Sequence, residues 1–183
     1  CSRHSNVKAS GFTSYELSVI NESDSIMRVL TIDAPRDLAV LRAQSSDFSS
    51  EALLSEEFER LSELMVATVT HPSQDGVGIA GPQVGLNRRV VAVQRFDKEG
   101  EPFEVYPNIR IVWQSDSLSV GPEGCLSVPV RRGDVERSTE IIIGQTSMPN
   151  SEIFSSLSEA LRSIEYPPKL SFSGRSSKHA LSE

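Results

Sequence analysis

The sequence has little cysteine and no long apolar run. Only two of its 183 residues are cysteine, Cys1 and Cys125, and their wide separation argues against the disulfide framework of a small secreted domain. No stretch approaches the roughly 18 consecutive apolar residues that a membrane-spanning helix needs. We therefore expect no transmembrane span and a single domain that buries a core without covalent staples.

Basic residues are too few to balance the acidic ones. The 18 Lys and Arg residues stand against 25 Asp and Glu residues, which gives a net charge of −7. Binding to phosphates requires clustered basic side chains. The charge balance therefore predicts no direct binding to nucleic acid, and the composition is otherwise that of an ordinary globular protein.

Both ends of the chain differ in composition from its middle. Residues 1–26 carry many Ser and Asn with little periodicity, which predicts a flexible N-terminal arm. Residues 147–183 contain eleven serines and no strand pattern. Within this Ser-rich tail one apolar helical face, formed by Ile153, Phe154, Leu157, Leu161 and Ile164, predicts a single helix over 152–165. The domain itself is predicted over 27–146.

The middle of the chain predicts one strong helix followed by strands. Apolar residues recur at helical spacing over 51–69, namely Leu53, Leu54, Phe58, Leu61, Leu64, Met65 and Val69. A short regular segment is expected near Met27. Runs rich in β-branched and aromatic residues predict strands at 88–96, 103–106, 109–113 and 140–143, with a turn at 97–100. A helix followed by antiparallel strands indicates an α+β fold.

Two short motifs carry the candidate chemistry. Residues 76–83 read Gly-Val-Gly-Ile-Ala-Gly-Pro-Gln, and residues 123–127 read Glu-Gly-Cys-Leu-Ser. Either motif alone is weak evidence, because most Gly-rich loops are turns and most lone cysteines pack in a core. Their order and their separation by about forty residues with strands between make the pair informative.

The pair resembles the first two of three signature motifs of the peptide deformylases. These metallohydrolases remove the N-formyl group from formyl-methionine at the start of new bacterial polypeptides. The resemblance extends over about residues 27–146 and includes the strings at 75–78, 85–87 and 94–97. It implies antiparallel strands packed around helices, formylated nascent peptides at the ribosome as partners, and a cytoplasmic location.

The resemblance also implies a role for individual residues. Cys125 is similar to the family's thiolate ligand for Fe²⁺ or Zn²⁺, and Gln83 and the Leu126 N–H to its donors to the formyl oxygen. Such donors stabilise the oxyanion that develops during amide hydrolysis. The remaining positions implied are the substrate-binding Gly78, Ile79, Gly124 and Arg132, and a supporting ion pair of Glu123 with Arg137.

The third signature motif, a helical His-Glu-x-x-His, does not occur in these 183 residues. It supplies two metal ligands and a general base, whereas the histidines here are the isolated His4, His71 and His179. One thiolate cannot replace a full ligand set. We therefore expect the C-terminal metal-binding helix to be missing or replaced, by frameshift, truncation or fusion near Thr146 or by real divergence, and the activity to be impaired.

Other interpretations are compatible with the sequence. The chain could be a non-catalytic paralogue that keeps a peptide groove, or a defective gene product. A cysteine hydrolase would use Cys125 as its nucleophile and His71 or His179 as its base. Cys1 followed by Ser is also typical of the lipid-bearing end of a bacterial lipoprotein, which is the alternative to a cytoplasmic location.

Overall fold

A computed structural model describes residues 11–145, which form four helices, a short 3₁₀ helix and seven strands. The helices are α1 (Ser14–Asn21), α2 (Pro35–Leu41), α3 (Ser50–Leu53) and α4 (Glu56–Thr70). The 3₁₀ helix spans Gly81–Val84, and the strands are β1 (Gly78–Ala80), β2 (Val90–Gln94), β3 (Phe103–Pro107), β4 (Ile109–Gln114), β5 (Leu118–Cys125), β6 (Val128–Ser138) and β7 (Ile141–Gln145). All the strand pairs are antiparallel, so the predicted α+β class is confirmed.

The helix predicted over 51–69 is two helices. Ser49 caps α3 through its hydroxyl, and Ser55 caps α4 in the same way by accepting a hydrogen bond from the Phe58 N–H. Ser55 lies only six residues after Ser49 and has the non-helical backbone of an N-cap, so α3 ends before it and α4 begins after it. Leu54 lies at the break and is 75% exposed, so it is not part of the predicted core face.

The predicted flexible arm over 1–26 is wrong for its described part. Residues 14–21 form α1, which Thr13 and Glu16 start with a reciprocal capping box. Phe12, Leu17 and Ile20 are buried in the core. A helix of only two turns is unstable in isolation, and packing against the rest of the domain stabilises it. Residues 1–10 lie outside the described part of the chain.

The segment predicted to be regular near Met27 forms no helix or strand. It is nevertheless attached to the domain, since the Met27 N–H donates to the Thr68 hydroxyl at 2.8 Å. Farther along, the Leu30 N–H donates to the Gln83 carbonyl at 2.8 Å and the Ile32 N–H to the Ser127 carbonyl at 3.0 Å. This irregular segment therefore joins the two sequence motifs.

The first sheet has the strand order β1-β2-β3 and packs against α4. Its second and third strands agree with the predicted runs at 88–96 and 103–106, although the first of these runs is a strand only over Val90–Gln94. Strand β1 was not predicted. Arg95 ends β2 because its guanidinium bonds the Asp97 carboxylate in the following turn, at 2.6 and 2.7 Å. The core between helices and sheet includes Leu61, Leu64 and Met65 of α4.

The other four strands form one bent two-stranded ribbon over residues 109–145, here called the long ribbon. β4 pairs with β7 and β5 pairs with β6, and the Ser115 N–H bonds the Glu140 carbonyl where the two ladders meet. The β5–β6 hairpin was missed in the sequence because its glycines, Pro122 and charged residues have low β propensity. At its base the ribbon is tied to the domain by the Asp47 carboxylate, which binds both Arg89 and Arg110.

The tail lies outside the described residues, and so does the helix predicted over 152–165. The same holds for the expected loss or replacement of the C-terminal metal-binding helix. Within residues 11–145, no helix is both long and apolar enough to cross a membrane.

Candidate active site

The two sequence motifs meet at the side chain of Gln83. Its Oε1 accepts a hydrogen bond from the Ala80 N–H at 2.9 Å. Its Nε2 lies 3.7 Å from the Cys125 sulfur and 3.2 Å from the Ser127 hydroxyl oxygen. The two motifs therefore meet in the fold, and one Gln83 amide N–H group is directed toward Cys125, which is the only thiol within residues 11–145.

Gly81 allows the tight turn that presents Gln83. A Cβ at this position would lie 2.6 Å from the Arg88 carbonyl oxygen and 2.9 Å from that of Leu86, which are both backbone atoms that cannot move aside. Gly85 then ends the 3₁₀ helix with a positive φ of 89°, a conformation that favours glycine. The glycines of the first motif thus bring the backbone close enough to place the amide.

Gly78 offers its backbone at the open edge of the first sheet. Among residues 11–145, β2 is the only strand that pairs with β1, and the Gln94 N–H bonds the Val77 carbonyl. Because hydrogen-bonded and non-bonded pairs alternate along an antiparallel ladder, Gly78 is a non-bonded position whose N–H and C=O face away from β2. The backbone of Ile79, in contrast, lies at a position that is hydrogen-bonded to β2. Its side chain is 3% exposed and points into the core.

The second motif lies at the tip of the long ribbon, anchored by Leu126. A Cβ added at Gly76 would lie 3.1 Å from a Leu126 methyl, so this side chain packs over the loop that precedes β1. Cys125 is exposed. Gly124 pairs with Arg132, and the Arg132 side chain passes 3.8 Å from the Cβ position of Gly124. The predicted substrate-binding Gly124 and Arg132 are therefore neighbours beside the thiol.

Glu123 and Arg137 form the supporting ion pair that was predicted. The Arg137 guanidinium donates two hydrogen bonds to the Glu123 carboxylate, at 3.0 and 2.8 Å. These hydrogen bonds lower the pKa of Glu123. The pair bridges β5 and β6, and Glu123 lies two residues before the thiol.

Ser127 is a site residue to which the sequence reasoning assigned no role. The residue is buried, at 4% exposure, and its hydroxyl oxygen accepts a hydrogen bond from the Gln83 Nε2 at 3.2 Å. The Ala80 N–H can bond only the amide oxygen, so these two neighbours together determine which way the amide faces. The Ser in the second motif was the available signal, but only the fold shows that it contacts Gln83.

We expect Ser127→Ala to release the Gln83 amide without unfolding the domain. The change removes one acceptor of a neutral hydrogen bond, which contributes on the order of 1 kcal/mol. Side-chain amide resonances in an ¹⁵N–¹H spectrum should show Gln83 shifting and sharpening, while those of Gln94 stay in place. Ser119→Ala, on the exposed part of β5, is the matched control. An unchanged Gln83 resonance would show that Ser127 does not orient it.

The described residues do not fit a complete metal site. Within residues 11–145, no three His, Cys, Asp or Glu side chains lie close enough together to hold an ion. Cys125 is the one ligand that the resemblance implied there, and its hydrogen-bonding neighbour is an amide. The imidazole Nδ1 of His71 pairs with the Ser73 hydroxyl at 2.8 Å, in the loop after α4.

Comparison with known proteins extends the resemblance beyond the two motifs. The family model described as polypeptide deformylase matches residues 26–161. Peptide deformylase 1 of Vibrio vulnificus is 32% identical over 137 residues, which cover 75% of each chain. A class I type b peptide deformylase of Acinetobacter baumannii, solved with Met-Ala-Ser bound, is 30% identical and has a TM-score of 0.56, over 67% of this chain and 77% of that one. The peptide deformylase of Thermotoga maritima is 27% identical, with a TM-score of 0.56 over 68% of this chain and 76% of that one. This chain therefore belongs to the polypeptide deformylase family.

Proposed function

We propose that this chain binds the N-terminal formyl-methionine of nascent polypeptides in the groove between β1 and the ribbon tip. Deformylation is the reaction named for its relatives. We further propose that the 183-residue chain carries out this reaction poorly, because its sequence has no His-Glu-x-x-His motif and residues 11–145 bring no three ligands together. Formylated nascent chains occur in the cytoplasm, so the proposed substrate implies that compartment.

The placement of the Gln83 amide beside Cys125 carries this proposal. An N–H group directed into a site next to a thiol can bond the oxygen of a small carbonyl group. In β1, which precedes Gln83, the outward-facing backbone of Gly78 can pair with an extended peptide as if the peptide were another strand. Backbone pairing does not depend on the identity of the peptide's side chains, which suits a substrate whose sequence varies after the first residue.

Arg132 and Gly124 support the same substrate class. The exposed guanidinium of Arg132 is free to contact carbonyl or carboxylate oxygens of a bound peptide, since guanidinium groups are strong hydrogen-bond donors. Gly124 adds no side chain between Arg132 and the thiol. The peptide deformylase of Acinetobacter baumannii has been solved with Met-Ala-Ser bound, so the formylated form of this tripeptide is a suitable probe.

Binding and turnover are separable in this arrangement. The donors at Gln83 and Leu126 act on a carbonyl whether or not it reacts, but hydrolysis also needs an activated water. In the family this comes from Fe²⁺ or Zn²⁺, and residues 11–145 bring only one thiolate toward such an ion. We propose that this chain holds neither metal at the affinity that three ligands would provide.

Binding of formyl-Met-Ala-Ser, measured by calorimetry, tests the proposed groove. We expect Gln83→Glu to weaken it by roughly five- to tenfold, because one N–H donor becomes a negative oxygen. The glutamate still accepts from the Ala80 N–H, so the turn is preserved. Gln114→Glu makes the same change at an exposed position of β4 and should have no effect. Equal affinities for all three proteins would contradict the assignment of the groove.

The structure gives the cysteine-hydrolase alternative no support. A cysteine nucleophile requires a base within hydrogen-bond reach. In the described part of the chain the polar neighbour of Cys125 is the Gln83 amide, which cannot take a proton. A peptide-binding paralogue without catalysis would have the same groove, and the turnover assay in the Discussion separates it from a working enzyme.

A further inference from the structure

Asp37 is a buried acidic residue to which neither the two motifs nor the proposed binding groove gives a role. It lies in the first turn of α2 and is 7% exposed. Its Oδ2 accepts a hydrogen bond from the Arg28 guanidinium at 2.6 Å and another from the Thr31 N–H at 3.2 Å. Both donors belong to the irregular segment before α2, so one carboxylate oxygen holds this segment at two points.

The residues on either side of Thr31 are bonded to the candidate active site. The Leu30 N–H donates to the Gln83 carbonyl and the Ile32 N–H to the Ser127 carbonyl. The Thr31 N–H between them donates to the Asp37 carboxylate instead. Gln83 and Ser127 belong to different motifs, so the conformation of residues 30–32 sets the spacing between their backbones.

The position of the Gln83 amide depends on that spacing. Its Nε2 lies 3.2 Å from the Ser127 hydroxyl oxygen and 3.7 Å from the Cys125 sulfur. Residues 28–31 form neither a helix nor a strand, so no regular set of backbone hydrogen bonds keeps them in place. A hydrogen bond to an ionised carboxylate is stronger than one between neutral groups. The Asp37 carboxylate therefore provides an attachment that secondary structure does not.

Helix α2 has other attachments to the domain. The Val40 carbonyl, near its C-terminal end, accepts a hydrogen bond from the Asn87 side chain at 2.8 Å. The helix also packs against the 3₁₀ helix. Loss of the Asp37 carboxylate should therefore loosen residues 28–31 and leave α2 in place.

We propose that Asp37 is a positioning residue for the candidate active site. By fixing residues 28–31, it keeps the Gln83 amide within reach of Ser127 and Cys125. The consequence for the substrate rests on the proposed function, in which this amide is a donor to the formyl oxygen.

Spectra of the full chain test the position of Gln83 directly. We expect Asp37→Ala to shift the Gln83 side-chain amide resonances in an ¹⁵N–¹H spectrum. Hydrogen exchange at the Leu30 and Ile32 N–H groups should become several-fold faster, because the segment that carries them is no longer fixed. Asp33→Ala removes an exposed carboxylate from the same part of the chain and should change neither measurement. Unchanged Gln83 resonances in Asp37→Ala would overturn the proposal.

Two further variants separate positioning from a general loss of stability. Asp37→Asn keeps an oxygen that can accept from the Thr31 N–H, so its Gln83 resonances should lie between those of Asp37→Ala and of the original chain. Leu61→Val shortens a fully buried side chain in α4 and should lower the thermal midpoint without shifting these resonances. Equal shifts in Leu61→Val and Asp37→Ala would overturn the proposal.

Calorimetry with formyl-Met-Ala-Ser connects Asp37 to the substrate. The affinity should fall several-fold in Asp37→Ala and stay unchanged in Asp33→Ala. An unchanged affinity in Asp37→Ala would overturn the proposal. The spectra need no substrate, so they test the effect of Asp37 on Gln83 separately from the proposed function.

Discussion

Supplied with ferrous iron or zinc, the 183-residue chain is expected to deformylate a formyl-Met peptide no faster than its Cys125→Ala variant. The proposed donors, the Gln83 side-chain amide and the Leu126 N–H, would stabilise charge that develops only after a nucleophile attacks. If the chain supplies neither a metal-bound hydroxide nor a glutamate base, as we propose, bulk water must attack. Oxyanion donors and substrate binding alone can retain a small acceleration of the reaction. This remaining activity should not respond to chelators.

A chimera provides the positive arm of the same assay. Residues after Gln145 would be replaced by a closing segment that carries a His-Glu-x-x-His helix in the position of the third motif. Turnover should rise by several orders of magnitude, become chelator-sensitive and depend on Cys125, since a complete ligand set then activates water. Metal-dependent turnover by the original chain would instead mean that His71, His179 or an acidic residue completes a site.

The largest expected loss of stability follows from Glu16→Gln. The Glu16 carboxylate receives hydrogen bonds from Arg88 at 2.5 and 2.9 Å, and the two side chains are only 9% and 11% exposed. Removing the acid leaves the Arg88 charge buried without its partner. Breaking a buried pair in this way typically costs about 3–5 kcal/mol. Chemical denaturation should show this loss, which would also establish α1 as part of the cooperative fold.

The control is the same substitution in an exposed ion pair. Glu123 is paired with Arg137 but is 41% exposed, so Glu123→Gln should cost no more than about 1 kcal/mol. A loss of no more than about 1 kcal/mol in the free energy of unfolding for both variants would mean that α1 separates from the domain before the rest unfolds.

The pH dependence of the Glu16 contribution follows from its pKa. Burial raises the pKa of this carboxyl, but the hydrogen bonds from Arg88 and from the Thr13 N–H outweigh burial and leave it below the ordinary value of 4.5. A lowered pKa means that the stabilisation is present above the unfolded-state value and is lost as pH falls through the folded-state value. The wild-type advantage over Glu16→Gln should therefore shrink in acid below about pH 4.5.

Local patterns explain which elements could be predicted. Strands β2, β3, β4 and β7 are runs of β-branched and aromatic residues, and their bounds were close to the structure. The β5–β6 hairpin has no such run and forms because its two strands pair over eight registered positions. Helix α1 was missed because eight residues carry little periodic signal, and what stabilises it is the distant Arg88.

The sequence by itself determined the family, because two specific motifs are strings of neighbouring residues that can be read without a fold. It also determined that no His-Glu-x-x-His is present in these 183 residues. Only the tertiary structure decided that Gln83 lies beside Cys125, that Ser127 accepts a hydrogen bond from it and that, within residues 11–145, Gly78 faces an unpaired sheet edge. The contacts of Gln83 join residues about forty positions apart, and they form only when the ribbon folds back onto the core. The orientation of Gly78 follows from the alternation of hydrogen-bonded and non-bonded pairs along a ladder, which exists only once the strands pair.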